Sequence, residues 1–378
     1  MSSAKSIPSP LIQQGEWFVR ICNACRYCEG YCAVFPALER RLTFTEGDLN
    51  YLANLCHHCG SCYDACQYAP PHEFALNFPR ILAEIRGATY QKYAWPGFLA
   101  GLFPRNGLAV SLITGISLAL FLLGMAIRGG PAALVSSHGL GEGAFYAVVP
   151  HNAMVVIFGA VSLAVLTAFV IGLVRFWRDT EEGFRALVDP VALGRAVMDV
   201  LRLKNLDGGG EGCIYPDGRP SLTRRRFHHL TFYGFLLCFA ATTVAAVYHY
   251  IFHWPAPYAF WSVPVLLGTA GGVGLLIGPA GLFWLKINRN PVLSDEGQTG
   301  MDIGFLALLF LTSLTGLLLL VLRQTPAMGG LLAAHLGMIL GLFLTMPYGK
   351  FAHAVYRSAA VVRFEIEESR PLPKYGAD

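Results

Sequence analysis

The sequence predicts a mainly α-helical protein in two parts, a small cysteine-rich domain at the N-terminus and a bundle of six transmembrane helices. Eight of the ten cysteines lie between Cys22 and Cys66. Hydrophobic residues make up 54% of the chain and charged residues only 14%, whereas soluble proteins carry roughly 25% charged residues. Six apolar stretches, each about the 20 residues that a membrane-spanning helix needs, follow residue 106.

The cysteines form two runs with one spacing. Each run reads C-x2-C-x2-C-x3-C, the first from Cys22 and the second from Cys56. This spacing is typical of ferredoxins with two [4Fe–4S] clusters, in which the fourth cysteine of each run ligates the other cluster. We therefore expect one cluster on Cys22, Cys25, Cys28 and Cys66, and the other on Cys56, Cys59, Cys62 and Cys32.

Two other uses of eight cysteines compete with this interpretation. Four disulfides would indicate a secreted domain, but the N-terminus is polar up to Leu11 and lacks the apolar core of a secretory signal. Two zinc sites of four cysteines each are the other alternative, although zinc sites usually use two separated cysteine pairs. The density of soft thiolates favours iron–sulfur clusters.

Residues 1–86 are the predicted ferredoxin-like domain, with a loose tail over residues 1–15. Apolar residues near helical spacing predict a helix over Glu39–Leu55. A second amphipathic helix is expected over Phe74–Arg86, broken or kinked near Pro79. Helices in these places are typical of the α-helical ferredoxins in respiratory dehydrogenases. Because the domain is too small for a large core, we expect the clusters to hold it together.

An interfacial linker rich in Trp, Tyr, Gly and Pro is predicted over 87–106. The six spans are predicted at 107–127, 151–174, 228–251, 261–285, 302–322 and 331–356. The resulting domains are helices 1–2 over 107–174, a loop over 175–227, helices 3–6 as a haem-binding bundle over 228–357, and a tail over 358–378.

Basic residues predict which way the spans run, because loops on the cytoplasmic side carry an excess of Lys and Arg. One set of span ends carries Lys92, Arg105, Arg175, Arg178, Arg185, Arg224, Arg225, Arg226, Lys286, Arg289, Lys350, Arg357 and Arg363. The opposite loops hold Arg128 and Arg323 and little else. We therefore expect a multi-pass protein of the bacterial inner membrane. Its ferredoxin-like domain, its 175–227 loop and both of its termini would be cytoplasmic, a compartment that also keeps thiols reduced.

The predicted 175–227 loop contains a helix-like part over Val191–Leu203 and the glycine-rich run Asp207–Cys213. That run lacks the spacing of a phosphate-binding loop, so we expect a structural turn lying against the ferredoxin-like domain. Cys213 has no partner by spacing and is expected to be structural, and Cys238 is expected to be a small packing residue inside a span.

Histidines inside predicted spans are costly and usually functional. Spans three and six run antiparallel, so His353 lies at the depth of His228 and His229, and His335 lies at the depth of His249. Two b haems could lie between these helices, and the iron of each would be ligated by one histidine from span three and one from span six. His335 and His353 are 18 residues apart, five full turns of one helix, and ideal helix phase favours His228 over His229.

The alternative for each histidine taken alone is a polar group at a helix end. His151 begins the second span on the far side and is interpreted as an interface residue, with a quinone site or a third haem as other options. His57, His58 and His72 lie in the ferredoxin region, where eight cysteines already suffice as ligands. We expect these three to hydrogen-bond near the clusters and tune their potential.

Together with the eight cysteines, four segments closely resemble the tricarballylate/citrate utilisation protein B family over nearly the whole chain. They are 228–235 (HHLTFYGF), 278–282 (GPAGL), 346–353 (MPYGKFAH) and 207–213. In architecture the chain also resembles the cytochrome b subunits of nitrate reductase and heterodisulfide reductase. The family resemblance implies a partner flavoprotein, the FAD-dependent tricarballylate dehydrogenase, which oxidises its substrate to cis-aconitate and which the membrane protein reoxidises. The identity of the substrate comes from this resemblance alone.

The residues themselves predict an electron-transfer protein. A cytoplasmic flavoprotein would reduce the two clusters, b haems would follow, and a membrane quinone would be the acceptor. The chain has no nucleophile–base pair and no dinucleotide fingerprint, and Arg224–Arg226 is a membrane-flanking charge run, so we expect lipid contacts and no nucleic acid. The alternatives are a quinol-driven reductase of a cytoplasmic partner, a membrane redox sensor, and a transporter. A transporter would be expected to show internal repeats and interrupted helices with charges in mid-membrane, and these are not evident.

Overall fold

The computed structural model describes residues 9–137, 141, 143–214 and 218–372. The described chain is mainly helical, as predicted, with one very small sheet. The N-terminal part contains five helices: α1 (Pro10–Cys25), α2 (Val34–Glu39), α3 (Glu46–Leu55), α4 (Ser61–Asp64) and α5 (Phe78–Tyr93).

The first of these helices corrects the prediction of a loose tail over residues 1–15. The Ser9 side chain accepts a hydrogen bond from the Ile12 amide, and Pro10 occupies the first turn, where its missing N–H costs nothing. The rest of the predicted tail, residues 1–8, lies outside the described residues.

The helix predicted over Glu39–Leu55 is instead two helices with a turn between them. Thr45 starts α3 by accepting a hydrogen bond from the Asp48 amide, while the Asp48 carboxylate accepts one from the Thr45 amide. This reciprocal cap is a strong start signal, so the chain begins a new helix there and does not continue α2.

The helix predicted from Phe74 begins later, at Phe78, and Pro79 does not kink it. Pro79 lies in the first turn of α5, where the backbone amides have no partner within the helix in any case. The Asn77 side chain caps this end by accepting from the Arg80 amide. The helix then continues to Tyr93, into the predicted linker.

Six further helices are long and apolar enough to cross a membrane. They are α6 (Asn106–Gly129), α8 (His151–Asp179), α10 (Thr223–Tyr250), α11 (Val263–Ile287), α12 (Thr299–Leu322) and α13 (Met328–Thr345). Two shorter helices join them, α7 (Ala144–Val148) and α9 (Pro190–Arg202). The observed spans overlap the predicted ones.

The sixth span ends earlier than predicted. Pro347 follows Thr345 in a short 3-10 turn over Met346–Tyr348, and a new helix, α14 (Ala352–Glu368), begins after Gly349. His335 and His353 therefore belong to different helices, and counting five turns between them was wrong. The predicted tail over 358–378 is part of a packed helix up to Glu368, and its residues 373–378 lie outside the described part.

The N-terminal domain sits on one end of the bundle, which we call the proximal end; the other is the distal end. The largest hydrophobic core of the described chain includes Leu52 and Leu82 from the N-terminal domain, Phe176 from the end of α8, and Val361 and Phe364 from α14. One core thus joins three separate parts of the chain. The C-terminal helix is as much a component of the domain as the cysteine runs are.

The glycines of α11 serve close helix packing. A Cβ on Gly271 would lie 2.7 Å from the Gly234 carbonyl oxygen of α10, and one on Gly274 would lie 3.0 Å from the Leu230 carbonyl oxygen. Backbone contact at this distance admits only glycine. Cys238 packs into the same contact, as expected.

The glycine-rich run lies against the N-terminal domain, as the sequence predicted. Strands β1 (Cys213–Ile214) and β2 (Pro220–Ser221) pair antiparallel just after it. The Ile214 amide donates to the Cys59 carbonyl at 3.1 Å. The Cys213 side chain is fully buried beside Cys59, as suits a structural residue.

Candidate metal centres

Two cavities in the N-terminal domain are lined by its cysteines. The first cavity is bordered by Cys22, Cys25, Cys28, Cys62 and Cys66. The second is bordered by Cys32, Cys56, Cys59 and Cys62. The last cysteine of each run therefore lines the cavity of the other run, and Cys62 forms part of the wall between the two.

Sharp backbone turns aim the cysteines inward. Helix α1 ends at Cys25, and Arg26 then takes a left-handed conformation (φ 55°). The Arg26 amide donates a hydrogen bond to the Cys22 carbonyl at 2.9 Å. In the second run, His58 (φ 58°) and Gly60 (φ 90°) reverse the chain on either side of Cys59. Left-handed conformations are rare outside glycine, so the surrounding structure must hold Arg26 and His58 in these turns.

The electrostatics of the thiols reflect the same grouping. Burial raises the pKa of the Cys32 thiol, and the nearby thiols of Cys59 and Cys56 raise it further. Burial also raises the pKa of Cys28 to about 11, with the thiol of Cys66 as the next cause. Since clusters bind thiolates, their assembly would have to displace these protons.

The zinc alternative requires four donors that converge on one ion. Within residues 9–137, 141, 143–214 and 218–372, no group of three or more His, Cys, Asp or Glu side chains is placed to hold a single metal ion. The thiols are instead spread around the walls of the two cavities. Soft donors spread in this way fit a polynuclear cluster better than a single ion.

His57 and His58 line the second cavity, whereas His72 does not. The His58 amide lies 3.4 Å from the Cys56 sulfur, in position to donate a hydrogen bond to it. Burial and the guanidinium groups nearby hold the pKa values of both His57 and His58 well below the usual range, so the two rings are neutral. His72 accepts from the Phe74 amide outside both cavities.

The proximal histidine pair is formed by His228 and His353. Their ring centroids are 6.2 Å apart with the ring planes nearly perpendicular. The Nδ1–H of His353 donates a hydrogen bond to the Lys350 carbonyl at 2.5 Å, so the lone pair of its Nε2 is available to a metal. The Nδ1 of His228 is buried without a hydrogen-bond partner. Burial holds the pKa of His353 well below its usual range. His229 instead contacts Tyr233 and the Arg202 carbonyl, so His228 is the one facing His353.

The distal histidines are arranged differently from the prediction. His249 stacks on His151, with ring centroids 3.8 Å apart. His335 packs against α12, where its Nδ1 lies 3.1 Å from the Thr312 carbonyl and 3.2 Å from the Thr315 hydroxyl. The predicted partner of His249 is His335, but in the structure His249 contacts His151, for which the sequence left an interface role, a quinone site or a third haem open.

The proximal pair fits a b-haem better than the distal one. A ligating histidine usually donates Nδ1–H to a carbonyl and presents Nε2 to the metal, and His353 has this arrangement opposite the unpartnered ring of His228. His335 has a similar backbone anchor, but the ring of His249, its predicted partner, stacks on His151.

Comparison with known proteins matches both parts of the chain. A family model described as Citrate utilization protein B matches residues 101–374, and one described as Citrate utilization protein B Fer4-like domain matches residues 16–92. The protein of Escherichia coli described as Citrate utilization protein B is 52% identical over 358 residues, which cover 94% of this chain and 92% of that protein. No solved structure matches the chain. The chain therefore belongs to the citrate utilization protein B family.

Proposed function

We propose that this protein is a membrane-bound electron-transfer component of citrate or tricarballylate utilisation. It would reoxidise a reduced FAD-dependent dehydrogenase and deliver the electrons to a membrane quinone. The observation that carries the proposal is the pair of adjacent cysteine-lined cavities, of which the second lies on the proximal end of the bundle. The dehydrogenase and its tricarboxylate substrate follow from family membership and resemblance.

The eight cysteines would hold two [4Fe–4S] clusters with crossed fourth ligands. Cys22, Cys25, Cys28 and Cys66 would hold one, and Cys56, Cys59, Cys62 and Cys32 the other. When bound, such clusters supply one-electron carriers, which couple a two-electron flavin to single-electron acceptors. The protein's own task is to hold the thiolates, limit access of water and set the local charge.

The proximal histidines supply a candidate ligand pair for one b haem directly beneath the second cavity. Arg224, one turn before His228 on α10, donates to the His57 carbonyl at 2.8 Å. A single residue therefore links the histidine pair with the wall of the second cavity. Because His249, the predicted distal ligand, stacks on His151, we restrict the proposal to one haem, held by His228 and His353.

We propose a bacterial inner membrane location with the N-terminal domain in the cytoplasm. The support is the concentration of Lys and Arg at the proximal end of the spans. Both ends of the described chain also lie with the domain, since α1 and α14 share its core.

Optical and paramagnetic spectra of the purified full-length protein test the proposal. We expect iron–sulfur signals, together with b-type bands that disappear in His228→Ala and persist in His229→Ala. Anaerobic addition of tricarballylate with its dehydrogenase should reduce the protein, and a quinone analogue should reoxidise it. Iron–sulfur signals without haem absorbance would refute the haem site alone, and a protein without iron–sulfur signals would refute the whole proposal.

A further inference from the structure

Three arginines from separate helices converge on one peptide segment beside the second cavity. Arg86 of α5 and Arg357 of α14 both donate to the Cys56 carbonyl, at 2.9 and 3.0 Å. Arg224 of α10 donates to the carbonyls of His57 and His58, at 2.8 and 3.0 Å. We call Arg86, Arg224 and Arg357 the arginine collar.

The collar is costly for the fold. Arg86 is 3% exposed and Arg357 is half-buried, and the hydrogen bonds given above for these two arginines go to neutral carbonyl groups. Removing positive charge from water is unfavourable, and a negatively charged group beside these arginines would reduce that cost. A [4Fe–4S] cluster with four thiolates is net negative and is the natural counter-charge at this position.

The first cavity has a different charge environment. Among the described contacts of its first cysteine run, the nearby basic group is Arg26, whose guanidinium donates to the Asn23 carbonyl at 3.1 Å and is exposed. Water and salt screen an exposed charge strongly, whereas a buried charge is screened much less. The two cavities therefore differ mainly in buried positive charge.

We propose that the arginine collar raises the reduction potential of the cluster on Cys32, Cys56, Cys59 and Cys62 above that of its neighbour. Reduction adds one negative charge to a cluster, and positive charges held beside the cavity stabilise that charge. The second cluster is then the thermodynamic acceptor of the pair, and electrons are drawn from the outer cavity toward the bundle. This inference rests on the proposed function and adds to it a direction of transfer.

A purely structural role is the competing explanation, because the collar also fastens α5, α10 and α14 to the domain. Charge and anchoring are separable at Arg224, which is partly exposed. Arg224→Gln keeps a hydrogen-bond donor and removes the charge, whereas Arg224→Lys keeps the charge and loses the planar guanidinium group with its several N–H donors. Arg225→Gln is the matched control, since Arg225 donates to the Arg202 carbonyl, away from the cavity.

The experiment is a redox titration of the purified full-length protein, followed by electron paramagnetic resonance. Cys25→Ala and Cys59→Ala assign the signals to the first and second cluster. At a fixed solution potential, Arg224→Gln should increase the oxidised-to-reduced ratio of the second cluster by about tenfold, which is about 59 mV for a one-electron couple. Arg224→Lys and Arg225→Gln should leave the ratio near that of the wild type, and the first cluster should not change.

Three results would overturn the inference: no shift in Arg224→Gln with both clusters present, an equal shift of both clusters, or the same shift in Arg224→Lys. If Arg224→Gln does not assemble its clusters, the pair Arg357→Gln and Arg357→Lys provides the same comparison. Absence of cluster signals in the wild type would instead refute the proposed function, so the two failures are distinguishable.

Discussion

At the scale of single residues, the two cysteine runs interlock. Cys32 follows the first run in sequence, yet its thiol lies with Cys56 and Cys59. Cys66 crosses in the opposite direction, to Cys22 and Cys28. Substitution of the fourth cysteine of one run should therefore act on the cluster held mainly by the other run.

Cys32→Ala tests this crossing. We expect loss of the cluster in the second cavity and retention of the cluster in the first, with about half of the bound iron remaining. Iron analysis and paramagnetic resonance measure both, and Cys25→Ala, which should remove the first cluster, is the comparison. Loss of only the first cluster in Cys32→Ala would contradict the crossed arrangement.

At the scale of helices, α10 and α11 pack with their backbones in direct contact. Gly271→Ala would place a methyl group 2.7 Å from the Gly234 carbonyl oxygen and 2.9 Å from the Cys238 amide nitrogen. Backbone atoms cannot yield without moving the helices, so we expect a loss of about 1–3 kcal/mol of stability. Thermal unfolding in detergent measures it. Gly268→Ala, whose Cβ would lie an ordinary 3.6 Å from Ala241, should be nearly neutral, and equal effects of the two would exclude the packing explanation.

Helix α9 has an apolar face that the protein leaves uncovered. Ala192 and Ala196 are buried, whereas Val191 and Val197 are 59% and 50% exposed. The Tyr233 hydroxyl of α10 donates to the Leu201 carbonyl at 2.9 Å, which holds the end of α9 at the level of the first turns of a span. A helix with these properties is expected to lie in the membrane interface.

A photo-crosslinking phenylalanine analogue tests the location of α9. Placed at position 197 of the protein in liposomes, it should react with lipid. The same group at position 195, where the exposed Arg195 lies close enough to the Glu365 carboxylate of α14 to act on its pKa, should react with lipid much less. Equal lipid labelling at the two positions would rule out an interfacial orientation.

At the scale of the whole molecule, α14 connects the bundle to the N-terminal domain. Glu367 accepts from Arg41 at 2.5 Å, from Arg363 at 3.0 Å and from the Tyr51 hydroxyl at 3.1 Å. The side chains of Arg41, Arg363 and Glu367 are each at most 10% exposed. The last helix therefore holds the first domain through a buried ion network.

Glu367→Ala should destabilise this junction by about 1.5–3 kcal/mol, because two buried guanidinium groups lose one of their two carboxylate partners and keep only Asp48. The neighbouring Glu368 pairs with Arg40 while remaining 39% exposed, so Glu368→Ala should cost at most about 1 kcal/mol. Denaturant unfolding, followed through the absorbance of the N-terminal domain, compares the two. A similar cost for both variants would mean that the buried network does not stabilise the junction.

Local patterns in the sequence determined much of the architecture. Fixed cysteine spacing indicated the ferredoxin-like domain, and runs of about 20 apolar residues located the spans, because both signals are contained within short stretches of chain. The ends of the helices were harder to predict from the sequence. The capping of α3 by Thr45 and the break at Pro347 depend on single residues within otherwise helical patterns.

What only the tertiary structure decided is which distant residues meet. The sequence favoured His228 over His229 as a haem ligand, and in the structure His228 faces His353, but the stacking of His249 on His151 had no signal in either segment. Likewise, Arg86 was only the last residue of a predicted amphipathic helix, and Arg224 one of three membrane-flanking charges. Their shared contact with residues 56–58 is visible only once three helices pack together, because hydrogen bonds to main-chain carbonyls leave no pattern in the sequence of the acceptor.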